Sequence, residues 1–268
     1  MEFLKIIKKR RSLINEFIYV TLNIGLAVTL MILVRVTGSL WPAFMLVLIS
    51  KWRIFAVRPQ FWFANIQANL VSVIISVSYV VFLYVLNSTN IGESQTLILQ
   101  SLLAITDVCW LIFLKPQSKR KYVVAQAGVG LFVGVMALYA VSYGWIASPV
   151  VILTWLIGYA TARHVLSNYD EEDHIVLLSL AWGFVMAEIG WLAYHWTIAY
   201  RLPIITNVLI PQVSMIVLGL GFLAYKIYNS YYHFQKIRLA DIILPLIFVL
   251  AIICVLVFGL NSVTTGVI

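Results

Sequence analysis

The sequence predicts an all-α fold: a polytopic integral membrane helical bundle of about nine transmembrane helices, N-terminus inside and C-terminus outside. Three observations predict it. Of 268 residues, 63% are hydrophobic and only 10% charged, against about 25% charged in an ordinary soluble domain. The apolar residues come in repeated runs of roughly 20, the length that crosses about 30 Å of hydrocarbon as a helix. The basic residues gather in alternate connections, which is the positive-inside pattern.

The elements follow in chain order. Residues 1–12, "MEFLKIIKKRRS", form a basic amphipathic cytoplasmic segment, with Phe3, Ile6 and Ile7 on one helical face and Lys5, Lys8 and Lys9 on another. Such a segment lies along the inner membrane surface. The apolar stretch after it is too long for a signal peptide and lacks a small-x-small cleavage site, so the first span is expected to stay as an anchor. Residues 13–268 then form a single transmembrane domain, because no polar stretch reaches the roughly 50 residues a separate core requires. Spans are expected at 13–36, 39–55, 64–86, 95–114, 122–143, 147–165, 175–199, 203–226 and 240–260. Each is read from continuous apolarity. The second has a short apolar core between Pro42 and Lys51, and fits a re-entrant or tilted segment as well as a span.

Charge sets the orientation. Lys5, Lys8, Lys9, Arg10 and Arg11, then Lys51, Arg53 and Arg58, then Lys115, Lys119, Arg120 and Lys121, then Arg163, and finally Lys226, Lys236 and Arg238 fall inside. Arg35 and Arg201 fall outside. The net charge of +8 is thus spread over connections that touch anionic headgroups, which argues for the lipid bilayer as partner and against nucleic acid.

Several chemistries are set aside, and no cofactor is expected. The chain has no Walker-type loop, no HExxH and no GxSxG. Cys109 and Cys254 lie far apart without metal-ligand spacing, so they read as small packing residues. A retinal-type lysine is not evident, since Lys226 is placed at a helix end. The acidic loop "NYDEEDHI" carries Asp170, Glu171, Glu172 and Asp173 between His164 and His174. It reads as a solvated loop facing basic neighbours, because adjacent acids lack the geometry of a defined metal loop.

The polar residues inside the spans carry what functional signal there is. Asn65, Asn69, Ser72 and Ser76 follow i, i+4, i+7, i+11 and share one face of the third span. That face is either interhelical hydrogen-bonding surface or the lining of a cavity. Asp107 in "LLAITDVCWLIFL" and Glu188 in "AWGFVMAEIGWLAYHW" are intramembrane acids. A charge at the bilayer centre costs on the order of 3 kcal/mol on insertion scales, so both are expected to face the interior. Gln100 shares the face of Asp107, and His195 nearly that of Glu188. Together these are the parts of a proton or cation relay, or of a static polar core. Pro211 is placed within the eighth span, where it would kink the helix. Gly130 with Gly134, Gly158 with Ala162, and Gly183 with Gly190 mark close helix contacts.

A faint repeat sets Arg58-Pro59-Gln60 before the third span against Lys115-Pro116-Gln117 before the fifth, with "IQANLV" echoed by "AQAGVG". The dipeptides at Pro59, Pro116 and Pro211 are similar to those of PQ-loop transporters. That family has seven spans with the dipeptide inside particular helices, whereas here nine are read and two dipeptides lie at loop boundaries, so no binding residue is transferred. The segment "SKWRIFAVRPQFWFANIQANL", residues 50–70, with "ARH" at 162–164 and "WGF" at 182–184, resembles an uncharacterised family of multi-spanning membrane proteins of small-genome bacteria. That resemblance implies a multi-pass protein of the cell membrane and no known activity.

Three functions fit. A proton-coupled carrier of a small solute would use Asp107 and Glu188 as titrating sites, His195 as an outer relay and Pro211 near a hinge. A scaffold or assembly subunit would instead bind a protein partner at the cytoplasmic loops. An enzyme on a lipid-linked substrate would work at the inner face through the His164–His174 loop. The carrier is the leading expectation, because midplane acids are expensive to keep.

Overall fold

The computed structural model describes residues 2–89, 92–169, 172–196, 199–201 and 209–259. Within them lie nine α-helices: α1 Glu2–Thr37, α2 Leu40–Ser50, α3 Trp62–Ser88, α4 Glu93–Cys109, α5 Arg120–Val141, α6 Ala147–Leu166, α7 Ile175–His195, α8 Gln212–Phe234 and α9 Leu239–Cys254. One-turn π segments, Trp110–Leu114 and Val255–Gly259, prolong α4 and α9. Strands β1 Ala199–Arg201 and β2 Leu209–Pro211 pair antiparallel, Tyr200 opposite Ile210. The basic segment after Glu2 is continuous with α1.

Eight of the helices are long and apolar enough to cross a membrane, which marks the chain as an integral membrane protein. The outward surface supports this: Phe63, Ile98, Phe113, Phe184, Leu244 and Phe258 are all more than half exposed, a pattern that water would penalise and lipid accepts.

The second expected span is the exception. Helix α2 has 11 residues, a rise of about 16 Å, or roughly half the hydrocarbon thickness. Gly38, left-handed at φ +59°, ends α1 as its N–H bonds the Val34 carbonyl at 2.9 Å, the usual glycine stop. Ser39 then caps α2, its Oγ accepting from the Trp41 N–H at 3.4 Å, and the helix stops at Lys51. Two 3-10 turns, Trp52–Ile54 and Pro59–Phe61, complete the return to the start of α3. Residues 39–55 are therefore a short helix followed by irregular chain, not a ninth long helix.

Helix α3 is the central element. On one side it packs with α1, α2 and α4 around Leu30, Val34, Val47, Tyr79 and Leu83. On the other it meets α5 and α6, which continue through α7 and α8 around Leu131, Val135, Ile157, Met186 and Val217. Helix α9 rests mainly on α8. The small-residue pairs make the close approaches expected of them. A Cβ on Gly134 would lie 2.7 Å from Ile74 Cγ2, and one on Gly158 would lie 2.5 Å from Met186 Cγ.

Side-chain ties show which ends of the helices lie together. At one end Arg35 bridges to Glu93 at 3.1 Å, the Tyr194 hydroxyl bonds the Trp145 carbonyl, and Tyr200 bonds the Leu256 carbonyl. At the other, Asn168 bonds the Ser118 carbonyl, Tyr169 bonds Asn229, and Arg120 lies over Tyr169. Lys115, Lys119, Arg120, Lys121, Arg163, Lys236 and Arg238 belong to this second end, so the basic residues share one face of the bundle.

Two expectations in the eighth span are corrected. Pro211 is not inside a helix: it ends β2 and directly precedes Gln212, the first residue of α8. A proline costs nothing at a helix start, where its missing N–H has no partner to lose. It therefore begins the helix and does not kink it. Residues 202–208, where that span was expected to begin, lie outside the described residues. Because α8 runs on to Phe234, Lys226 sits within it and not at its end, near the Phe222 ring. Pro245 of α9, by contrast, lies inside its helix, past the first turn.

Candidate functional site

Asp107 is buried, with 8% of its surface exposed. It belongs to the α4 stripe Thr96, Gln100, Ala104 and Asp107 that turns inward as a unit, as the 3.6-residue period requires. Gln100 is fully buried, its Nε2 donating to the Leu83 carbonyl at 3.2 Å. The spacing argument thus places both correctly.

Two lysines that the sequence assigns only to orientation lie within Coulombic reach of Asp107, with no ion pair to it within 4 Å among the described residues. Lys51, just past the end of α2, reaches into the bundle and donates to Ser72 Oγ at 2.8 Å and to the Ser72 carbonyl at 3.5 Å. The Lys115 amine lies near that of Lys51, and both are within Coulombic reach of Asp107. Two ammonium groups brought together repel, and that repulsion is relieved when one of them loses its proton.

Depth distinguishes Lys51 from the basic rim. Gln67 on α3 donates to the Tyr159 hydroxyl at 3.1 Å, and Arg163 donates to the same oxygen at 3.0 Å. Ser72 lies five residues further along α3, about 7.5 Å deeper. The Lys51 amine is therefore well inside the Arg163 layer.

Irregular backbone surrounds the group. The π turn begins three residues after Asp107, with the Lys115 N–H bonding the Trp110 carbonyl at 2.9 Å. The Leu111 carbonyl takes the Tyr19 hydroxyl at 3.1 Å. Gln126 of α5 closes the end of α4: its Nε2 donates to the carbonyls of Leu114 at 2.7 Å and Gln117 at 2.9 Å. His164 Nε2 meets Gln126 Oε1 at 2.8 Å. His164 thus supports the backbone that carries Lys115, and is not turned towards His174. Two buried polar atoms beside this stripe, Trp110 Nε1 and Gln100 Oε1, have no hydrogen-bond partner among the described residues.

The α3 stripe supplies the floor. Asn65 Nδ2 donates to the Ile54 carbonyl at 2.7 Å, Asn69 Nδ2 to the Asn65 carbonyl at 2.8 Å, and Ser76 Oγ to the Ser72 carbonyl at 2.9 Å. Three of its four residues therefore hold backbone, and Ser72 alone receives Lys51.

Glu188 overturns its expectation. It is exposed on α7, in an outward row with Phe184 and Trp191, both more than half exposed. The buried row of α7 is Ser179, Gly183, Met186 and Gly190, selected because glycines allow α6 to approach. A long carboxylate cannot occupy that seam. His195 is also exposed and stacks edge-on with Trp191 at 4.7 Å, at the end of α7 away from the basic face. Neither residue joins Asp107.

In the acidic loop, Asp170 and Glu171 lie outside the described residues. Glu172 accepts from the Tyr228 hydroxyl and the His174 N–H. No group of three metal-ligating side chains occurs among the described residues. Compared with family models, curated proteins and solved structures, the chain matches none.

Proposed function

We propose that this protein is a proton-coupled secondary carrier of a small solute in the cell membrane, with Asp107, Lys51 and Lys115 as its titrating centre. The observation that carries the reading is their convergence where a half-length helix stops and a long helix loosens into a π turn. Short or broken helices that bring polar backbone to membrane depth are the usual construction of carrier sites, and π turns concentrate at functional positions. Positive-inside charge puts the basic face, and the nearer route to the centre, on the inner side.

The charge arithmetic favours a small anion. With Asp107 ionised and one lysine neutral, the centre has no net charge; a proton on that lysine leaves it at plus one. Protonation would then recruit an anion, and loss of either would favour release of the other. Glu188 and His195 have no part in this mechanism.

The test is flux. Purified protein in liposomes with an internal pH dye, given a proton gradient and a panel of small anions and neutral solutes, should move protons only with its solute. Lys51→Met and Asp107→Asn should each cut flux at least tenfold while retaining the folded elution profile, and Glu188→Gln should leave it unchanged. Flux surviving in both centre variants, or absent from wild type across the panel, would remove the carrier reading and favour a scaffold.

A further inference from the structure

A second site lies on the opposite side of α3 and shares no residue with the titrating centre. Helices α5, α6, α7 and α8 enclose a cavity of about 520 Å³ near the basic face, within the range of small-molecule sites. Small residues create the space: Ala125 and Gly128 on α5, Ala162 on α6, Ala181 on α7, Gly221 on α8. A Cβ on Gly128 would meet nothing nearer than Leu218 Cδ1 at 3.7 Å. The walls are otherwise aliphatic and aromatic, and α7 and α8 touch only sparsely. Val185 and Phe222, 45% and 41% exposed, flank the opening, which therefore faces the hydrocarbon and not water.

A cation lies beyond one end of the cavity. Tyr228 lines it and packs edge-on against Tyr169 at 4.8 Å. The guanidinium of Arg120, one helical turn before the lining residue Val124, lies 4.0 Å over the same Tyr169 ring and 5.5 Å from that of Tyr232. Ring faces hold the cation by its π surface and leave its edge donors available, and Arg120 has no carboxylate partner among the described residues. Among the described residues of the acidic loop, Glu172 is turned to the Tyr228 hydroxyl and the His174 N–H.

We infer that the α5–α8 cavity binds a membrane phospholipid, with an acyl chain between α7 and α8 and the phosphate at Arg120. Chemistry selects the occupant. An apolar chamber opening to the bilayer accepts hydrocarbon, and a planar cation at headgroup level with free donors recognises phosphate. A soluble anion would leave the chamber unfilled, and an uncharged lipid would leave Arg120 unpaired.

Delipidated protein in detergent would be titrated with dioleoyl-phosphatidylglycerol, with dioleoylglycerol of the same chains, and with inorganic phosphate, following thermal unfolding and Trp fluorescence. Phosphatidylglycerol should raise Tm saturably with one site per chain. Dioleoylglycerol should bind at least tenfold more weakly, and phosphate should have no effect. A dibrominated-chain phosphatidylglycerol should quench wild type more than Trp182→Phe, since Trp182 lines the cavity. Gly128→Phe, which fills the chamber, should abolish the shift. Arg120→Gln should bring the two lipids to equal affinity, and this variant tests the site even where Gly128→Phe does not fold. Equal binding of the two lipids by wild type, or undiminished binding by Gly128→Phe, would overturn the inference.

Discussion

Lys51 shows how little a single letter conveys without its surroundings. In the sequence it is one of several basic residues on the inner side, and orientation accounts for it. In the fold its amine enters the bundle and donates to Ser72 Oγ, near Lys115 and Asp107. The clue was present in helix length: from the Ser39 cap, a helix reaching Lys51 rises only about 18 Å, too little to bring its amine to the far interface. Glu188 is the opposite case. Acidity at midplane depth argued for an inward position, but the inward positions of α7 were already taken by Gly183 and Gly190.

At the scale of elements, the glycines decide which helices pair closely. Lipid offers no hydrophobic drive between helices, so contact area and small residues set the packing. Helices α6 and α7 make the most intimate pair, with Gly158 against Met186 and Gly183 against Trp155. Gly158→Val would force its side chain into fully buried Met186, and overpacking of this kind costs about 1–3 kcal/mol. The variant should therefore melt several degrees below wild type, whereas Gly144→Ala, with nothing within 4 Å of its Cβ, should melt with it. Equal melting would mean that the α6–α7 seam is looser than its spacing implies. The pairs Gly130/Gly134 and Gly158/Ala162 were legible as contact motifs, because spacing by four selects one helix face. Their partners were not, since any other helix could have supplied them. Pro211 was misplaced for a related reason: the apolar run crosses a strand and a helix alike, and only backbone pairing separates them.

At the scale of the whole molecule, α2 keeps the alternation of crossings intact with only eight long helices. The return from the end of α1 to the start of α3 is half helix and half irregular chain. The expected orientation then gives a direct check. A single cysteine at Ser118, in the basic connection after α4, should react with a membrane-impermeant maleimide only in inverted vesicles, in a background with Cys109 and Cys254 replaced. One at Tyr143, at the opposite end, should react only in right-side-out cells. Reversed labelling would invert the molecule and move the titrating centre towards the outer side.

Composition and apolar run length by themselves determined that this chain belongs in a membrane as helices, because the burial of a polar backbone in hydrocarbon admits few alternatives. Periodicity along single helices determined that Gln100 and Asp107 share a face, as do Asn65, Asn69, Ser72 and Ser76. Relations within one helix are set by its fixed geometry, so sequence is enough for them. The tertiary structure alone decided that Lys51 and Lys115 join Asp107, that Glu188 and His195 stand apart, and that Arg120 borders an apolar chamber. Those are relations between helices, set by which faces pack, and packing depends on the shape of partners distant in the chain.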